Sequence, residues 1–132
     1  MAEQSITPQL AKLGLVSGAR WRLDGVPDGW SFEVSPDPAD EVGDGESADA
    51  VIAFVTSADM IAPALERLEP VIFPAGALWI AWPRKAAGHS SDITDNVVRD
   101  AALARSLVDT KVAAIDSDWS GLKLVWRVTA RT

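Results

Sequence analysis

Three short stretches bring together residue types that do chemistry. Arg84-Lys85 and His89-Ser90-Ser91 gather two cations, an imidazole and hydroxyls between a strand end and a helix start. Free N–H groups at a helix N-terminus attract anions, so Arg84, Lys85, His89 and Ser91 are candidate anion contacts. Asp92 and Asp95 occupy the same region and repel an anion. In the alternative the stretch is a solvated loop, with Ser91 or Asp92 as a helix cap.

The second stretch is Asp24-Gly25-Val26-Pro27-Asp28-Gly29, inside RWRLDGVPDGW. It leaves a strand at the carboxyl end, where open α/β sheets hold their ligands. Asp24, Gly25 and Asp28 are the contacts such a ligand would use. Pro27-Asp28-Gly29 is equally ordinary turn chemistry, with Trp21 and Trp30 as packing. The closely spaced small residues of a cofactor cradle are missing, and Pro27 removes an N–H donor. The loop is expected to be the edge of an empty pocket.

The third, Asp116-Ser117-Asp118-Trp119-Ser120-Gly121, matches the opening half of a calcium loop. Such a loop needs a bidentate Glu at its twelfth position, which here is Arg127. The flanks read as strands, so a hairpin turn is expected, its Asp side chains bonding their own backbone. There is no Cys and His89 is the only His, so no metal site is expected. Ser90 and Ser91 lie too close to His89 in sequence for a usual triad. No catalytic residue and no cofactor is therefore assigned.

Thr7–Gly14 reads as a short helix, with Thr7 as its cap, Pro8 at the first helical position and Gly14 as the left-handed stop. Ala19–Asp24 follows as a strand with Trp21 and Leu23 on one face, and Arg22 on the other. Trp30–Val34 reads as a short edge strand. Asp49–Val55 and Ala77–Trp82 are continuous apolar runs, which indicates strands covered on both faces as in a parallel sheet. Between them a helix over about Ala58–Leu68, capped by Ser57 and disturbed by Pro63, carries the stripe Met60, Ile61, Ala64, Leu65, Leu68. Another helix starts at Asp92–Asp95, with Val97, Val98, Ala101, Ala102 and Ala104 as its stripe of small residues. Lys111–Ile115 and Leu122–Val128 read as a hairpin at the sheet edge, joined by a turn at Asp116–Gly121. The expected architecture is one layered α/β domain over residues 1–132, a mostly parallel sheet ending in an antiparallel hairpin.

With 132 residues and 48% hydrophobic content, the chain suits one domain with a real core. Net charge is −7, and Ser35–Asp49 holds six of the acids and no Lys or Arg. The rest is nearly neutral, and no basic stripe exists for nucleic acid. The acidic stretch is expected to be a flexible loop, since it has no periodic apolar face. It is also a candidate docking arm for a basic partner. Trp30 and Trp119 fall in predicted loops, so both are candidates for an interaction surface, whereas Trp79, Trp82 and Trp126 read as core. No apolar run approaches ~18 residues and no leader pattern opens the chain, so a cytoplasmic protein is expected, neither membrane-bound nor nucleic-acid-binding.

Two resemblances follow from particular residues. LAKLGLVSGAR (10–20) and PAGALWIA (74–81), with the terminal hairpin, resemble the first strand's approach, the fifth strand and the last two strands of S-adenosylmethionine-dependent methyltransferases. LAKLGL, FPAGALWIAWPRK, SDITDNVVRDAAL and LVDTKVAAIDSDWSGLKLVW are similar to a largely actinobacterial family, domain of unknown function 3052. The first resemblance implies a Rossmann-like fold; the second brings no activity with it. The methyltransferase pattern puts G-x-G after the first strand, where this chain has Asp24-Gly25-Val26-Pro27. It also puts two more strands and up to three helices between the first strand and the next shared one. Only 24 residues separate Asp24 from Asp49, and a crossover needs at least ~10–12. The resemblance thus implies a degenerate fold with a truncated first half and no complete cofactor site. Arg22 fits, standing where a covering helix would lie. A binding or interaction protein is expected. The alternative is a minimal methyltransferase-like enzyme completed by a second subunit.

Overall fold

The computed structural model describes residues 8–131. Thr7, the expected cap of the first helix, lies outside them. Helix α1 spans Pro8–Leu13, with Gly14 in the left-handed conformation that stops it. Strands β1 (Trp21–Asp24), β2 (Ala50–Phe54) and β3 (Ala77–Pro83) run parallel. Helix α2 (Ile61–Leu68) connects β2 to β3 and helix α3 (Asp95–Leu103) follows β3. The hairpin β4 (Leu107–Ala114) and β5 (Trp119–Trp126) then closes the sheet, with β5 antiparallel between β3 and β4. Strand order is β1-β2-β3-β5-β4, an open mixed sheet.

Both faces of this sheet are covered, which is why β2 and β3 are apolar without alternation. All five residues of β2 are buried. Val51 and Ala53 of β2, with Leu78 and Ile80 of β3, pack under α2 and α3 with Leu122 and Leu124 of β5. Ile61, Ala64, Leu65 and Leu68 form the inward stripe of α2. Fully burying a side chain such as Leu65 or Leu68 contributes about 1.5–3 kcal/mol. The opposite face holds Ile52, Phe54 and Trp79 beneath Leu10, Leu13 and Leu15, flanked by Trp30, Phe32 and Trp119. Gln9, buried on that side, donates to the Ile115 carbonyl at 3.1 Å and accepts from the Glu33 N–H at 3.0 Å.

Several local expectations are corrected. Met60 is exposed, because Ala58–Met60 forms a 3-10 turn ahead of α2. Ser57 makes no cap; the Ala58 N–H donates instead to Asp92 Oδ1 at 2.9 Å, from a loop 34 residues on. Helix α3 starts at Asp95, capped by Thr94, whose Oγ1 accepts from the Val97 N–H. Val98 and Ala102 are buried on it, while Ala104 lies past its end and is exposed. Residues 119–121, expected in a turn, are strand, and Val128 lies beyond β5, exposed in a 3-10 turn. Trp30–Val34 is not a strand. The β1 edge it would need is taken by Glu41 and Val42: the Val42 N–H donates to the Trp21 carbonyl at 2.9 Å.

The acidic segment, expected as a flexible loop, is therefore laid along β1. Val42 is buried, Asp40 accepts from the Gly18 N–H, and Asp49 accepts from the Arg20 N–H. Asp37 offers its carbonyl to the Trp21 indole N–H at 3.0 Å. Arg22 is not left bare: its side chain is 15% exposed and pairs with Asp44 at 3.1 Å. A carboxylate of the acidic segment and Asp24 of β1 itself meet that cation. No helix among the described residues is long and apolar enough to cross a membrane.

Candidate functional site

The candidate residues converge on the carboxyl end of the parallel strands. There they separate into two groups, and an aromatic wall stands at the end of β2. Asp24 and Gly25 stand at the ends of β1 and β2, while Arg84, Lys85, His89 and Ser91 stand beyond β3. Phe54, the last residue of β2, holds the wall, touching the Trp30 ring at 4.8 Å and the Trp119 ring at 5.1 Å between centroids. Both Trp residues are half-buried and face this cluster. The Trp30 indole N–H donates to Asp116 Oδ2 at 2.8 Å, so its polar edge is used inside the fold.

On the β1 side, a cleft of about 440 Å³ is lined by Asp24, Gly25, Phe54, Asp59, Met60 and Arg67. Arg67 reaches across from α2 to Asp24, with N···O distances of 2.7 and 3.4 Å. This bond raises the Arg67 guanidinium above its ordinary value, against a smaller opposing effect of burial. Arg22 adds a longer contact to Asp24 at 3.7 Å. Gly25 has φ +68° and lies so close to β2 that a Cβ would sit 2.9 Å from the Phe54 carbonyl oxygen. The loop after β1 is thus pressed on the neighbouring strand, and its first carboxylate is neutralised. Asp28 is exposed in the following turn, which the Trp30 N–H closes by donating to the Pro27 carbonyl. It is not among the residues lining the cleft.

Beyond β3, the expected anion contacts are engaged elsewhere. Arg84 donates from its guanidinium to the carbonyls of Asp116 and Ser117, and from its backbone to the Asp118 carbonyl. His89 Nε2 lies 3.0 Å from Asp118 Oδ1. Ser91 Oγ accepts from the Ile93 N–H. Lys85 is exposed and lines a cavity of about 390 Å³, but Asp95 shares the wall. Arg84 shares that wall, but its guanidinium, like the His89 imidazole, is engaged with the β4–β5 turn. Arg84 and His89 fasten that turn. In that turn Asp116 Oδ1 accepts the N–H groups of Asp118 and Trp119, the self-bonded geometry that the sequence implies. Among the described residues no group of three or more His, Cys, Asp or Glu is placed to hold a metal ion.

Sequence reasoning missed the place of Arg67 and Met60 in the cleft and the bond from Trp30 to Asp116. Arg67 lies 43 residues from Asp24, and only the parallel β2–α2 crossover brings it there. Asp116 was visible as a turn residue, but nothing near it in sequence announced Trp30. Neither protein-family models nor curated proteins give a match to this chain.

Proposed function

We propose that the chain is a binding or interaction protein on a reduced methyltransferase-like sheet that lacks a complete S-adenosylmethionine site. One observation carries this reading: the outer edge of β1 bonds to the chain's own Val42, where the resemblance requires further strands. The three parallel strands followed by an antiparallel hairpin support the kinship. The engaged Asp24, the tightly seated Gly25 and the spent Arg84 and His89 support the loss of a ligand site. A specific feature favours the alternative, a methyltransferase-like enzyme completed by another subunit: the cleft beside Asp24 and Arg67 is open to solvent. Calorimetric titration with S-adenosylmethionine separates the two. No binding up to about millimolar ligand fits the interaction protein, since a complete site would give a binding isotherm within that range. Binding that Asp24→Asn abolishes would establish the alternative.

A further inference from the structure

At the other end of the sheet, where the parallel strands begin, a different surface is built. Phe73 is 41% exposed and rests edge-on against Trp126, ring centroids 4.8 Å apart. Trp126 is held by its indole N–H, which donates to the Glu69 carbonyl at 2.9 Å. On the far side of Trp126 the chain leaves β5 through Arg127, Val128 and Arg131. Val128 is 74% exposed, the most exposed large apolar side chain among the described residues. Arg127 donates to the Arg105 carbonyl and Arg131 to the Trp126 carbonyl at 2.9 Å, so both cations are tethered by neutral groups. Arg105 pairs with Glu69 at 3.1 Å. This flank carries three cations against one carboxylate.

The other side of Phe73 has the opposite character. A hollow of about 210 Å³ lies there, walled by Phe73, Pro74, Ala48, Asp49 and Arg20. Beyond it is the end of the acidic segment. Glu46 pairs with Arg20, and Asp49 accepts the Arg20 backbone N–H. This flank carries two carboxylates against one cation. One rim thus presents, in order, a cationic flank with a protruding valine, an aromatic centre, a hollow and an acidic flank.

We infer that this rim is a two-fold interface between two copies of the chain, with Phe73 near the axis. In an isologous contact a patch must complement itself, and each feature meets its opposite in the partner. Rotation about Phe73 brings the cationic flank of one copy onto the acidic flank of the other. The same rotation brings Val128 to the hollow beside Phe73. A partner of uniform charge would suit only one of the flanks. Aromatic and arginine side chains are also the types enriched at interface centres. The interface lies at the opposite end of the sheet from the Asp24–Arg67 cleft. It therefore does not depend on that cleft being empty, and a second copy docked here would not complete it.

Sedimentation equilibrium of the full chain from about 1 to 100 μM tests the inference. The expected result is a monomer–dimer equilibrium that weakens at least about tenfold as salt rises from ~0.05 to ~0.5 M. Val128→Glu and Arg127→Glu, both at exposed positions, should each raise the dissociation constant about tenfold or more with unchanged circular dichroism. Adding Glu46→Arg to Arg127→Glu should recover part of the loss. A monomer throughout the range overturns the proposal, as does a dimer unaffected by both single variants. Association only with an added acidic or basic peptide, without self-association, also overturns it.

Discussion

Trp30 donates its indole N–H to Asp116 Oδ2 at 2.8 Å, joining the loop after β1 to the β4–β5 turn 86 residues away. The other oxygen of Asp116 holds the N–H groups of Asp118 and Trp119. One carboxylate thus organises the hairpin turn and locks the aromatic cluster against Phe54. Trp30→Phe keeps most of the packing and loses one bond to a charged acceptor, a cost of about 1.5 kcal/mol. Asp116→Ala loses three and should cost about 2–3 kcal/mol. Urea unfolding of both single variants and the double variant checks this, since a shared bond requires costs that do not add.

Gly25 and Gly29 both have positive φ, but only Gly25 has backbone in the way of a side chain. Gly29→Ala is expected to cost about 1 kcal/mol, the conformational penalty alone. Gly25→Ala adds the clash with the Phe54 carbonyl and should cost at least about 2 kcal/mol. Equal costs in thermal melts would mean that the loop is not seated on β2.

Arg99 donates from Nε to Asp109 Oδ2 at 2.9 Å, and this bond holds the Asp109 carboxyl below its ordinary 3.8. A carboxyl lowered in the folded state adds stability above its unfolded pKa and loses it as pH falls through the lowered folded value. The contribution is complete above about pH 5 and fades below about pH 4. Asp109→Asn should therefore differ from the parent most near neutrality, and the gap should close in acid. Urea midpoints measured across that range check the direction; a gap independent of pH would remove the pair as its source.

The legible parts of this fold were those decided by local pattern. The apolar runs of β2 and β3 announce strands buried on both faces, and the stripe in α2 announces its inward side. What escaped was decided by partners distant in sequence. Trp30–Val34 alternates like a strand, yet Val42 already holds the edge it would pair with. Gly121 reads as a turn residue, but it lies in β5 where a Cβ would sit 2.6 Å from Ile115 Cδ1. Arg84 and His89 look like free anion contacts until the hairpin turn folds back on them. Arg22 looks stranded on an open face until Asp44 reaches it.

Removing the apolar anchor of the acidic segment should loosen this arrangement. Val42→Asp places a charge at a buried position in the core on the α2 side of the sheet, and a cost of about 2–4 kcal/mol is expected. Asp44→Asn, at a side chain 97% exposed, should cost less than about 1 kcal/mol. Comparing the two by chemical unfolding distinguishes a segment held by its buried valine from one held by charge.

Amide hydrogen exchange at Val42 tests the central claim most directly, because its N–H forms the bond that occupies the outer edge of β1. Protection comparable to that of the β1 and β2 amides is the expected result. Exchange at the rate of a free loop would contradict the account, leaving the edge of β1 open to a further strand or ligand.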